Sequence, residues 1–141
     1  MTPVQIQLVQ TSFAKVLPIA EPAAAIFYAR LFELAPEVRA LFKGDMVEQG
    51  RKLMTMLRTV VNTLDKLDVL VPAAQGLAVR HVGYGAQPAH YAVVGAALID
   101  TLDKGLGDAF TPETRSAWET AYGTLSAVMI EAAAKARPAT A

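Results

Sequence analysis

The chain of 141 residues has no cysteine and only two histidines. Without thiols it can form no disulfide, thiolate metal site or cysteine nucleophile, and the composition fits the reducing cytoplasm, where the protein is expected to reside. Two imidazoles are too few for a multi-histidine zinc site. Neither sign of charge prevails, since 13 basic residues balance 13 acidic ones without a basic run. The electrostatic footprint of a nucleic-acid binder is therefore missing. Long apolar runs are also scarce. The longest nearly unbroken one, Tyr91–Ile99, is about half of a membrane span, and the opening MTPVQIQLVQ lacks the basic region and apolar core of a leader peptide, so a soluble chain with no membrane span is expected. A glycine-rich phosphate loop, a GxSxG elbow, an HExxH pair and paired Glu-x-x-His motifs are absent too, which removes the commonest hydrolase, nucleotide-binding and di-iron chemistries.

What the chain has is apolar residues at helical spacing, making up 53% of the whole. That length and apolar content suffice for one domain, 1–141, with 136–141 expected to fray. Thr2-Pro3 reads as a cap and first-turn proline, with Val4, Leu8, Phe13 and Val16 or Leu17 following at roughly helical spacing until Pro18. Pro22 restarts the chain into a dense stripe of Ile26, Phe27, Leu31, Phe32 and Leu34, which ends before Pro36. A short helical piece from Pro36 to Phe42 closes at Gly44. A long helix from about Met46 to Leu64 carries Leu53, Met56, Leu57, Val60, Val61 and Leu64 on one face. Asp65–Asp68 and Pro72 are expected to interrupt it, before a helix with Leu77 and His81 runs to Gly85. Gln87-Pro88 opens another, with its stop expected at Lys104-Gly105. Thr111-Pro112-Glu113 is the clearest start, and Trp118, Tyr122, Leu125, Met129 and Ala132 or Ala133 form the inward face of the last helix. No period-two run is bounded by hairpin turns. The pattern predicts an all-α fold of about seven helices without internal repeats.

His81 lies four residues after Leu77 and three before Tyr84, so its imidazole shares a helix face with apolar side chains. Two readings are open at this point: a core histidine bonded to a carbonyl, or a metal ligand. If it is a ligand, the remaining metal ligands have to come from elsewhere. Haem supplies four of its own, needs one imidazole and fills an apolar cavity.

Five segments together resemble the globins, and among them the single-domain bacterial globins similar to the haem domain of flavohaemoglobins. They are FYARLF with Tyr28, APEVRALF with Pro36 and Phe42, EQGRKL from Glu48 to Leu53, RHVGYGAQPAHY with His81 and Tyr91, and AWETAYG with Trp118 and Tyr122. The resemblance implies a globin fold sandwiching haem b, with a short or absent fourth helix. It implies that His81 is the iron ligand, through its far ring nitrogen, while the near N–H donates to a backbone carbonyl. Phe42 would lie flat on the macrocycle. Tyr28 and Gln49 would face the sixth coordination site, with Leu53 walling it. Leu77, Val94 and Leu125 would line the opposite side, and Lys52 would approach a propionate.

In the flavohaemoglobin-like pattern a tyrosine and a glutamate accompany the iron-bound histidine. Tyr91 matches the tyrosine, whereas the glutamate position is Ala133; Glu131, about 200° away around the helix, should point elsewhere. His90 is expected in a connection outside the pocket. The resemblance implies reversible binding of O2, with NO and CO as further small ligands. It also implies nitric oxide dioxygenation by Tyr28 and Gln49, dependent on a separate reductase. The alternative is O2 storage, delivery or ligand sensing without turnover.

Overall fold

The computed structural model describes residues 2–42, 44–83 and 88–136. Six α-helices follow in order: α1 (Pro3–Val16), α2 (Ala20–Leu34), α3 (Met46–Asn62), α4 (Leu67–Gly83), α5 (Pro88–Leu106) and α6 (Pro112–Ala136). A six-residue 3-10 helix, Pro36–Leu41, lies between α2 and α3, and with it the described residues hold the seven expected helices, beside two 3-10 turns of three residues each. No other helix stands between Leu41 and Met46, and no strand occurs, among the described residues. Nor is any helix among them long and apolar enough to cross a membrane.

The helix starts follow from local chemistry. Thr2 and Gln5 form a reciprocal capping box, with Gln5 N–H on Thr2 Oγ1 at 3.1 Å and Thr2 N–H on Gln5 Oε1 at 2.9 Å. Asp45 accepts from Val47 N–H at 2.9 Å to open α3, and Thr111 accepts from Thr114 N–H at 3.2 Å to open α6. Three boundaries differ from expectation. Pro72 lies inside α4 at an exposed position; it removes one backbone donor, while buried Leu70, Ala74 and Ala78 hold the turns on either side. The stop of α5 is Gly107, at φ 56°, and not Gly105, because the first left-handed residue comes two positions later. His90 belongs to the first turn of α5 and not to a connection. The expected helix end at Gly85, the start at Gln87 and the tail 137–141 lie outside the described residues.

Most of the core forms around α2. This helix packs on α5 and α3, while α1 and α4 both pack on α6. Trp118 on α6 stacks obliquely on Phe13 of α1, with centroids 6.2 Å apart, and its indole N–H donates to Ser12 Oγ at 2.8 Å. Ser12 in turn donates to the Leu8 carbonyl at 2.7 Å, so no polar atom of this buried lock lacks a partner. Gln10 on α1 donates to the Val61 carbonyl in the last turn of α3 at 3.1 Å. A smaller cluster of Ala74, Ala78, Tyr91, Leu125, Met129 and Ala133 joins α4, α5 and α6.

Candidate functional site

Four of the predicted residues come together on α2, α3 and the 3-10 helix between them. Pro36 ends α2 and opens the 3-10 helix, which delivers Phe42 in extended geometry. The Phe42 ring meets Tyr28 edge-on, with centroids 5.3 Å apart, and Phe32 at 5.6 Å. Arg39 holds this corner from outside: its guanidinium covers Phe32 at 5.4 Å and donates to the Phe42 carbonyl at 3.2 Å. Tyr28 also touches Phe27 and Phe32, at 5.0 and 6.0 Å. It is a tyrosine among three phenylalanines, and its ring is held from several sides. Leu53, half-buried, packs against the same cluster.

The Tyr28 hydroxyl donates to the Gln49 backbone carbonyl over 3.4 Å, a length at the weak limit for a hydrogen bond. Burial raises the phenol above its ordinary pKa, and the Gln49 side chain partly offsets this, so the group stays a protonated donor at neutral pH. Gly50 makes the approach feasible. A β-carbon there would stand 3.0 Å from that of Ala24, so α3 crosses α2 at a spacing that a larger residue would widen. Ala24 lies one turn before Tyr28, and Gly50 directly follows Gln49. Sequence reading missed this crossing, although its signal, small residues at 24 and 50, stands beside two residues already singled out.

His81 lies in the last turn of α4, half-buried, with Nδ1 2.8 Å from the Leu77 carbonyl. With the proton on Nδ1 as donor, Nε2 is the unprotonated nitrogen, the form in which imidazole binds a metal. Burial lowers the His81 pKa, and the nearby Arg80 charge acts in the same direction against the Leu77 hydrogen bond. Leu77 and Leu125 belong to the smaller cluster with Tyr91. Val94 packs instead against the larger one. Lys52 is exposed. Ala133 is 1% exposed in the cluster with Tyr91, while Glu131 is exposed and pairs with Lys135 at 3.3 Å. Position 133 itself thus carries no carboxylate.

Tyr122 was read from the sequence as part of the inward face of α6 and of the AWETAYG segment. Its hydroxyl donates to the Tyr91 carbonyl at 2.6 Å. Its ring lies on Gly95, where a β-carbon would come within 2.7 Å of it. Burial, and then the neighbouring Tyr91, hold this phenol well above its usual pKa. Gly95 thus lets α6 approach α5 and fix the backbone from which Tyr91 projects.

The two sets stand on helices that separate. α3 and α4 are joined by only residues 63–66, yet they make almost no contact with each other, α3 resting on α2 and α1 and α4 on α6. Tyr28, Phe42 and Leu53 belong to the larger apolar cluster, and Leu77, Tyr91 and Leu125 to the smaller. Among the described residues no group of three or more His, Cys, Asp or Glu is placed to hold a metal. A metal here has to bring its other ligands with it, and a cofactor that carries its own ligand ring fits this donor set.

An all-α fold with one imidazole beside two separated helices defines a class of single-histidine cofactor-binding domains. Comparison with known proteins narrows the class. The globin family model matches residues 25–129, and the chain belongs to the globin family. A flavohemoprotein of Rhodopirellula baltica is 35% identical over 114 residues, 79% of this chain and 28% of the relative. One from Bordetella parapertussis is 34% identical over 107 residues, covering 74% of this chain and 27% of the relative. The chain thus spans little more than a quarter of these relatives. Among solved structures, a bacterial globin from Campylobacter jejuni superposes with TM-score 0.83 at 27% identity, covering 95% of this chain and 97% of that one. An engineered carbene transferase, described as a candidate nitric oxide dioxygenase from Rhodothermus marinus, superposes with TM-score 0.84 at 29% identity, covering 96% and 94%.

Proposed function

We propose that the chain holds haem b through His81 and binds a diatomic gas beside Tyr28. The observation that carries this reading is the 2.8 Å contact between His81 Nδ1 and the Leu77 carbonyl, which leaves the proton off Nε2 on a helix that has separated from α3. Haem, when bound, would supply a ferrous iron able to take O2, NO or CO. Phe42 and Leu53 would provide apolar contact on one side and Leu77 and Leu125 on the other, shielding the macrocycle from water. Lys52, exposed on α3, would pair with a propionate. Tyr28 turns its hydroxyl from the long Gln49 contact to the gas, and the Gln49 side chain serves as a second donor or as a gate.

The activity we infer is nitric oxide dioxygenation: NO, O2 and one electron give nitrate. The Rhodothermus marinus neighbour, described as a candidate nitric oxide dioxygenase, supports it, and a reductase would supply the electron. Tyr28 would hold and orient O2 for the attack of NO. A second reading, O2 storage, delivery or sensing without turnover, is favoured by buried Ala133, since no carboxylate there can make the imidazole more basic.

His81→Ala tests the haem reading. In chain purified with haem b, the Soret band is expected to weaken or shift strongly; an unchanged spectrum overturns the ligand assignment. NO consumption by the oxygenated protein with an added flavin reductase separates the two activities. Sustained turnover to nitrate supports the dioxygenase, and a single stoichiometric burst supports the storage reading.

A further inference from the structure

A groove of about 350 Å³ runs between α4 and the second half of α6, within the ~300–1,000 Å³ that small-molecule sites occupy. Val71, Val79, Val128 and Ala132 form its apolar walls, and Val79 keeps 51% of its surface exposed although it faces this concavity. Gly76 leaves the α4 side flat. Arg80, one turn further on, folds back over that glycine, since a β-carbon at position 76 would stand 3.7 Å from its Nη1. Among the described residues no carboxylate pairs with Arg80, whereas Lys135 on the α6 edge is held by Glu131 at 3.3 Å. Gln75 adds an amide with both a donor and an acceptor. The groove thus combines apolar walls for a flat ring, an amide for a polar ring edge and an unpaired guanidinium for an anion.

We propose that this groove binds free flavin mononucleotide, whose reduced form delivers electrons to the chain. The tricyclic ring lies among the valines and covers apolar surface that is otherwise wet. Its pyrimidine edge, where carbonyl acceptors alternate with an N–H donor, meets the Gln75 amide, and the phosphate takes the planar fork of Arg80. The place suits an electron donor. Val79 and His81 are two residues apart, about 200° around the helix, so the groove and the His81 face stand on opposite sides of α4, ~10 Å across. One reduced flavin, giving up two electrons and two protons, returns two ferric chains to the ferrous state, and a nicotinamide hydride regenerates it in a reductase. Delivery of those electrons to haem rests on the haem reading above; binding of the flavin in the groove does not.

Flavin mononucleotide is itself the probe, titrated into the haem-loaded chain and read by calorimetry and, with CO bound, by amide NMR. Saturable binding with shifts at Gly76, Val79, Val128 and Ala132 is expected. Riboflavin, which lacks the phosphate, and adenosine monophosphate, which lacks the tricyclic ring, should each bind roughly tenfold more weakly. Glu131→Gln removes a carboxylate from the groove and releases Lys135, so it should tighten flavin mononucleotide about threefold and leave riboflavin unchanged. Gly76→Leu fills the groove at a position where helix propensity favours the new residue, which keeps the fold. It should abolish binding and slow reduction of ferric haem by reduced flavin mononucleotide roughly tenfold, while reduction by dithionite stays as fast as in the native chain. No saturable binding, adenosine monophosphate bound as tightly as the flavin, or weaker binding in Glu131→Gln overturns the proposal. So does a folded Gly76→Leu protein that binds the flavin, or is reduced by it, like the native chain. Calorimetry and amide shifts report the groove and the Soret band of His81→Ala reports the haem ligand, so the two failures are told apart.

Discussion

Replacing Tyr28 with phenylalanine removes one oxygen and keeps the ring among Phe27, Phe32 and Phe42. The hydroxyl's existing partner is the Gln49 carbonyl at 3.4 Å, too long to be worth more than about 0.5 kcal/mol, the low end for a neutral hydrogen bond. A donor to an oxygen that carries partial negative charge contributes roughly 1.5–3 kcal/mol. The net gain on turning from Gln49 to the gas is thus about 1–2.5 kcal/mol, equivalent to a roughly five- to seventyfold slower O2 dissociation. Tyr28→Phe should therefore speed O2 release by about that factor while changing CO release far less, and it should leave thermal stability within ~0.5 kcal/mol of the native chain. Stopped-flow displacement of O2 by CO measures the first, and thermal melting of the same preparation the second. An O2 dissociation rate unchanged by the substitution refutes the donor assignment. Equal acceleration of O2 and CO would instead mean that the hydroxyl acts by steric fit.

Three further outcomes follow from named contacts. Because burial and Arg80 lower the His81 pKa, the folded, haem-holding state favours neutral imidazole while the unfolded chain takes up a proton near pH ~6.5. The stabilisation is complete above that value and is lost as pH falls from it through the lowered pKa. Soret titration should accordingly show haem release on acidification, and release on raising the pH through neutrality contradicts it. Gly95→Ala forces a methyl into the Tyr122 ring and should cost ~1–3 kcal/mol, seen as a lower denaturant midpoint; an unchanged midpoint would mean that α5 and α6 separate without penalty. Ser12→Ala leaves the buried Trp118 N–H without its acceptor and should cost ~1–3 kcal/mol, measured in the same way, with a neutral result pointing to a substitute acceptor.

Much of this molecule is readable without coordinates. Helix starts at Thr2-Pro3 and Thr111-Pro112 depend on a side-chain oxygen and a ring within the same few residues, so local sequence suffices for them. The same holds for the face of α6, where Trp118, Leu125, Met129 and Ala133 are all buried, because helical spacing alone brings them to one side. His81 and Leu77 are a further case: four residues apart, they meet through Nδ1 and a carbonyl of the same helix.

What only the tertiary structure decided lies between helices. Pro72 and Gly105 both read as breakers, yet each sits inside a helix, because side-chain packing outweighs one lost backbone bond or one flexible residue. The separation of α3 from α4 appears in neither helix by itself, since it results from α2 and α6 holding them apart. The close crossings at Gly50 and Gly95 likewise depend on Ala24 and Tyr122 arriving from distant parts of the chain. Local patterns specify which residues can form a helix and which face is apolar; how near two helices approach is set by the side chains of both, and that distance places Tyr28 against Gln49 and Tyr122 against Tyr91.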